Sequence, residues 1–142
     1  SKFYIDVKTT GLWPKGAALI GRAAVEKIHH SGIGRIHALA GLTLGADPIL
    51  MAVSLAGLQP GHTWPALIVR KEPKKHGTEK YIEGIENVSA SASVLILEDV
   101  VTTGESGLLA AKRCREAGLR PLGVLSVVDR EEGGREAIEA QG

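Results

Sequence analysis

The stretch "VLILEDVVTTGES", residues 94–106, decides the fold. Four apolar residues, Val94 to Leu97, run without a polar break into the adjacent carboxylates Glu98 and Asp99, and a turn of small and hydroxyl-bearing residues follows. A strand that is apolar at every position suits burial on both faces, as in a parallel sheet with helices on either side. After the turn the period changes. Gly107, Ala110, Ala111, Cys114 and Ala117 fall on one helical arc, with Lys112, Arg113 and Glu116 opposite. Residues 94–98 are therefore expected as a strand and 104–117 as a helix whose small inner residues allow close approach to the sheet.

The same alternation extends in both directions. "PLGVLSVV" (121–128), "PALIVRK" (65–71) and "IHALAG" (36–41) read as further strands, and "FYIDV" (3–7) as a short one. From Pro14 to His30 the pattern is helical, with Ala17, Ile20, Gly21, Ala24, Val25 and Ile28 on one face and Arg22, Glu26, His29 and His30 opposite. Pro14 suits the first turn of that helix and Ser31-Gly32 its exit. The turn "LTLGADP" leads into an apolar helix near 48–57, which Gln59-Pro60-Gly61 stops. The expected fold is α/β, a mostly parallel sheet flanked by helices, in a single domain over residues 1–142.

Composition narrows the partners. A hydrophobic fraction of 44% and a charged fraction of 23% are those of an ordinary globular protein. A net charge of +1 gives no general electrostatic case for nucleic acid or membrane binding. One cysteine excludes a disulfide framework and a cysteine-based metal site. With no signal peptide and no apolar run of transmembrane length, the expected location is cytoplasmic.

In an open parallel sheet, ligands bind beyond the carboxyl ends of the strands. Residues Val101 to Ser106 lead into a helix there, where free backbone N–H groups and the helix dipole favour phosphate. Gly104 permits close backbone approach, and Thr102, Thr103 and Ser106 add hydroxyl donors. Glu98 and Asp99 would repel a phosphate but accept hydrogen bonds from ribose hydroxyls, so the stretch reads as a ribose-5-phosphate site. It also fits a plain strand end whose acids are solvated and cap the next helix. Neither G-x-x-x-x-G-K-[ST] nor a strand-to-helix G-x-G-x-x-G is present.

The second feature is "RKEPKKHGTEKYIEG", residues 70–84. Over 70–80, Arg70, Lys71, Lys74, Lys75 and Lys80 outweigh Glu72 and Glu79 for a net of +3. A long polar segment of this kind suits a lid whose cations neutralise a polyphosphate leaving group, or a merely solvated loop.

Together these stretches resemble a known family. "LILEDVVTTGES" is similar to the signature with which type I phosphoribosyltransferases bind 5-phosphoribosyl 1-pyrophosphate (PRPP). "VRKEPKKHGTEKYIEG", "SKFYIDVK" at the start and "VVDREEGG" (127–134) resemble segments of the orotate phosphoribosyltransferases within that family. The resemblance implies transfer of the phosphoribosyl group to orotate, with Mg²⁺ held mainly through PRPP and no metal ligand assigned directly. The PRPP-binding set it implies is Arg70, Lys71, Lys74, His76, Glu98, Asp99, Val100, Val101, Thr102, Thr103, Gly104, Glu105 and Ser106. Glu98 and Asp99 would hold the ribose hydroxyls and 101–106 the 5-phosphate, with Lys74, His76 and Asp99 as the catalytic groups. Thr102 and Arg130 would be near orotate, and "GLTLGADP" (41–48) would be the pyrophosphate-side loop. A homodimer whose lid residues serve the neighbouring site is implied, as are further helices ahead of residue 1 and further structure past the Asp129-Arg130 segment.

Two other functions share these residues. A non-catalytic PRPP-binding regulator is expected to lose lid cations, whereas Lys71, Lys74 and His76 are all present. A phosphoribosyltransferase for another base would have no carboxylate to offer Arg130. Among the remaining residues, Cys114 is read as core, His29 and His30 as exposed, and His37 and His62 as lacking a partner at metal-ligand spacing. Trp13 and Trp64 are expected to pack at element edges. Asp47 is expected to cap the helix beginning at Pro48, and Glu131, Glu132 and Arg135 to be surface charges.

Overall fold

The computed structural model describes residues 4–75 and 80–142. Helix α1 (Lys8–Gly11) is followed by α2 (Pro14–Ser31), strand β1 (Ala38–Leu42), helix α3 (Asp47–Gly57) and strand β2 (Ala66–Val69). Then come β3 (Ile82–Glu83), a 3₁₀ turn (Ile85–Asn87), β4 (Ser93–Val101), α4 (Glu105–Glu116), β5 (Arg120–Asp129) and α5 (Gly134–Glu139). The five strands form one sheet in the order β3-β2-β1-β4-β5. Neighbours pair in parallel except β3, which runs antiparallel to β2.

Each connection follows from the sequence. Pro14 opens α2, where its missing N–H costs nothing, and Gly32 closes it in the left-handed conformation at φ 66°. Gly21 lies so close to the Ala52 carbonyl that α2 and α3 pack with no room for a side chain between them. On the other face of the sheet, Ala110, Ala111 and Cys114 of α4 bury against Ala38, Ala40, Val94 and Ile96. Leu39, Leu95 and Leu97 point the opposite way, into a core with Val25, Ile28, Leu50 and Val53 of α2 and α3. Two-sided burial is thus the reason β1 and most of β4 are apolar throughout.

The structure departs from expectation at several points. Residues 4–7 form no strand: Tyr4 is exposed, and Asp6 instead accepts the Lys8 backbone N–H to start α1. The polar 72–84 segment contributes β3 through Ile82, which is buried. Strand β4 continues to Val101, so both carboxylates lie within it, and the helix begins at Glu105. Strand β5 is only half covered rather than enclosed, and Ala117 is exposed. Trp64, expected to pack at an element edge, is buried just ahead of β2, but Trp13 is 64% exposed. Among the described residues no helix is long and apolar enough to cross a membrane.

Candidate functional site

From β1 the chain passes through α3 to β2 on one side, while β4 pairs with β1 on the other. The carboxyl ends of β1 and β4 therefore flank a topological switch point, the place where an open α/β sheet leaves a crevice. Two loops leave the strands there, residues 43–46 after β1 and 102–104 after β4.

Glu98 and Asp99 are adjacent on an extended strand, so their side chains leave on opposite faces. Glu98 turns toward α4, where its Cγ lies 3.7 Å from where a Cβ on Gly107 would be, and it is 4% exposed. Burial, helped by repulsion from Asp99, pushes its carboxyl up to about 7. Asp99 turns toward the β1 loop and is half-buried. A Cβ on Gly45 would fall 2.6 and 2.7 Å from its two carboxylate oxygens, so the absent side chain at Gly45 is what lets this acid lie against the loop. The pair expected to act side by side is divided between two environments.

The 43–46 loop has its own brace. The Thr43 hydroxyl donates to Asp47 Oδ2 at 2.8 Å, and the Thr43–Leu44 peptide is cis. Asp47 stands inside the first turn of α3 and makes no side-chain cap bond, so it ties the loop together rather than capping the helix. Its Oδ1 is buried without a hydrogen-bond partner.

On the β4 side, Thr102 is half-buried, Gly104 is buried and Thr103, Glu105 and Ser106 are exposed. Gly104 has φ +84°, and a Cβ there would lie 2.8 Å from the Gly134 carbonyl. A Cβ on Gly134 would in turn lie 2.6 Å from the Thr102 carbonyl. Two glycines thus seat α5 against the turn, which presents the start of α4 outward. The Arg130 backbone N–H donates to the Val101 carbonyl at 3.0 Å, bringing Arg130 beside this turn. Its guanidinium, only 10% exposed, pairs with Glu132 at 3.4 Å. Glu132, expected as a plain surface charge, holds this arginine.

The cationic segment leaves the far side of the sheet. Beyond the β2–β3 pairing, Arg70 N–H donates to the Tyr81 carbonyl at 2.7 Å and Lys74 N–H to the Lys80 carbonyl at 3.3 Å, so its two arms run as a ribbon. Arg70 pairs with Glu83 at 3.3 Å. Lys71, Lys74 and Lys75 are exposed, and His76 lies outside the described residues. Tyr81 anchors the ribbon, packing on the α4-side core with the Arg113 guanidinium 3.7 Å from its ring centre.

The structure brings Asp99, Thr102, Gly104 and Arg130 to one end of the sheet, and sets Arg70, Lys71 and Lys74 at its β2–β3 edge. What the sequence concealed are the contacts of Gly45 with Asp99 and of Gly134 with the turn. Their only signal was glycine in segments that also needed turns. Cys114 is core, its thiol pushed up to about 12 by burial. His62, with no partner at metal-ligand spacing along the sequence, meets His29 from 33 positions away. Among the described residues no three histidines, cysteines or acids form a metal-holding group.

No family model matches the sequence. Orotate phosphoribosyltransferase of Aquifex aeolicus is 48% identical over all 142 residues, which span 75% of that protein. A structure of Mycobacterium tuberculosis orotate phosphoribosyltransferase with Fe(III) dicitrate matches at a TM-score of 0.87 and 39% identity, over 100% of this chain and 77% of that one. The same enzyme solved with PRPP matches at 0.82 and 37% identity, covering 98% of this chain and 75% of that one. With almost half its residues shared along its whole length, on a backbone that superposes from end to end, the chain belongs to the orotate phosphoribosyltransferase family.

Proposed function

We propose that the chain transfers the 5-phosphoribosyl group of PRPP to orotate, releasing pyrophosphate and forming orotidine 5'-monophosphate in pyrimidine nucleotide synthesis. The observation that carries this reading is the contact of Asp99 with the 43–46 loop at the β1–β4 switch point. It joins a ribose-binding acid to a loop suited to pyrophosphate, and the M. tuberculosis relative has been solved in complex with PRPP.

Breaking the bond between ribose C1 and pyrophosphate builds positive charge on the sugar and negative charge on the leaving group. Asp99 accepts hydrogen bonds from the ribose hydroxyls and stabilises the first charge, with Glu98 behind it. Residues 101–106 hold the 5-phosphate through the α4 N-terminus and the hydroxyls of Thr102, Thr103 and Ser106. Arg70, Lys71, Lys74 and His76 close over the pyrophosphate and exclude water. Thr102 and Arg130 receive orotate, the guanidinium matching its carboxylate with a planar fork. No nucleophilic side chain is needed.

The donor set also fits Mg²⁺. This ion keeps much of its water and binds through one or two carboxylates together with substrate phosphates, and Asp99 beside the 43–46 loop offers such a carboxylate. Bound there through PRPP, Mg²⁺ supplies charge neutralisation at the leaving group. Each lid is proposed to serve the neighbouring chain's site in a homodimer.

The test is orotate consumption followed by absorbance, with PRPP and Mg²⁺ each omitted in turn. Loss of orotate only in the full mixture, with pyrophosphate released, is the expected result. PRPP binding without turnover would instead favour a non-catalytic regulator of the same fold.

A further inference from the structure

The parallel strands have a second end, away from the site described above. There the exit of α2 and the segments leading into β1 and β2 line an open cleft of about 570 Å³. His29, in the last turn of α2, and His62, in the turn after α3, meet across its wall with their Nε2 atoms 2.8 Å apart. One of these nitrogens carries the shared proton and the other accepts it. The His62 ring is also stacked on Trp64, with centroids 4.2 Å apart and planes 8° from parallel. Trp64 is itself buried, so His62 is held in place before anything binds.

We infer that His29 and His62 form a two-imidazole site for a borderline transition ion of the zinc class. In a tetrahedral site with Zn–N bonds near 2.05 Å, two ligand nitrogens stand about 3.3 Å apart. Admitting the ion in place of the shared proton therefore requires the two nitrogens to part by about half an ångström and the rings to tilt, so that both lone pairs converge on one point beside the line that joins them. The donor imidazole needs only to shift its proton to Nδ1, so two neutral ligands become available with no net deprotonation. The carbonyl end of α2 carries partial negative charge that favours a cation. Water in the cleft completes the coordination. Imidazole nitrogen suits zinc, nickel and copper, whereas Mg²⁺ demands oxygen ligands, so the site discriminates against the ion proposed for the reaction. Arg35 on the cleft rim is exposed and opposes the ion through solvent, which weakens binding without blocking it.

Zinc chloride titrated calorimetrically into the intact chain tests this. One Zn²⁺ should bind per chain, and MgCl₂ in excess should not displace it. His29→Gln, at an exposed position that leaves the fold intact, should weaken binding by roughly tenfold or more, as should His62→Gln. His30→Gln, one residue along α2 with its ring on the Glu26 carbonyl, should leave binding unchanged. Absence of Zn²⁺ binding by the unaltered chain, or equal affinity in His29→Gln, overturns the site.

Discussion

Glu98 is an acid held where an acid is costly. Its carboxyl titrates near 7 in the folded chain because burial and the Asp99 charge both disfavour ionisation. An unfolded chain releases that proton near pH 4.3. Between those values the folded state holds a proton the unfolded state has lost, so stability falls as pH rises from about 4.3 to about 7 and then levels. Glu98→Gln removes the penalty. The variant should be more stable than the parent by about 3–4 kcal/mol at pH 8, with the difference vanishing near pH 4. Urea unfolding at the two pH values checks this, and an equal difference at both would refute it. Turnover should fall in the same variant, since the site loses an ionisable acceptor. Gly45 presents the opposite case, a residue whose value lies in lacking a side chain. Gly45→Ala would press a methyl group onto the Asp99 carboxylate, which can swing aside at little cost to the fold. We expect kcat/KM to drop by about tenfold or more, equivalent to about 1.4 kcal/mol, with the melting temperature nearly unchanged. Full activity in Gly45→Ala would show that the Asp99 position does not matter.

Between residues and the whole stand the elements, and the cationic ribbon is the one whose behaviour can be forecast. The Arg70–Glu83 pair at its base is well exposed and contributes little. Tyr81 is the stronger anchor, because it joins the ribbon to α4, the helix that follows the 102–104 turn proposed to hold the 5-phosphate. Tyr81→Ala should raise KM for PRPP several-fold with a smaller effect on kcat, at a stability cost of about 2 kcal/mol. Steady-state kinetics beside urea unfolding would test it, and a KM within about twofold of the parent would mean that the ribbon is positioned elsewhere. The same scale separates what was legible in the sequence from what was not. Helices α2, α3 and α4 were readable because their apolar or small residues recur at helical spacing over three or more turns. "FYIDV" misled because five apolar-rich residues specify a strand only if a neighbour pairs with them, and Asp6 was already a helix-start signal. β3 escaped because two residues carry no period. β4 outran its expected end because eight register pairs with β5, from Ser93↔Arg120 to Val101↔Asp129, override the poor strand preference of Glu98 and Asp99. The divergence of these two acids followed from the two-residue period of any strand. Contacts such as Gly45 with Asp99 and His29 with His62 join residues far apart in sequence, and no local pattern announces them.

At the scale of the molecule, the proposed site draws on two sets of residues at opposite edges of one sheet. The lid cations leave from the β2–β3 edge, whereas Arg130 follows β5 at the other. Three strand spacings separate β2 from β5, roughly 14 Å. A lid serving its own chain must fold back across that width, while in a two-fold dimer the partner's lid can approach from outside. Mixing two inactive variants distinguishes the arrangements. Lys74→Ala disables the lid, and Arg130→Ala disables the orotate end. If lids act across the dimer, a mixed dimer holds one site with both defects and one with neither. Equal mixing after dissociation and reassociation makes half the dimers mixed, so about a quarter of all sites are intact. The expected result is recovery of about a quarter of parental activity from two preparations that are each nearly inactive. Lids acting within their own chains would leave every site with one defect at any mixing ratio. Mixed dimers confirmed by mass, yet without recovered activity, would therefore show that each chain closes its own site.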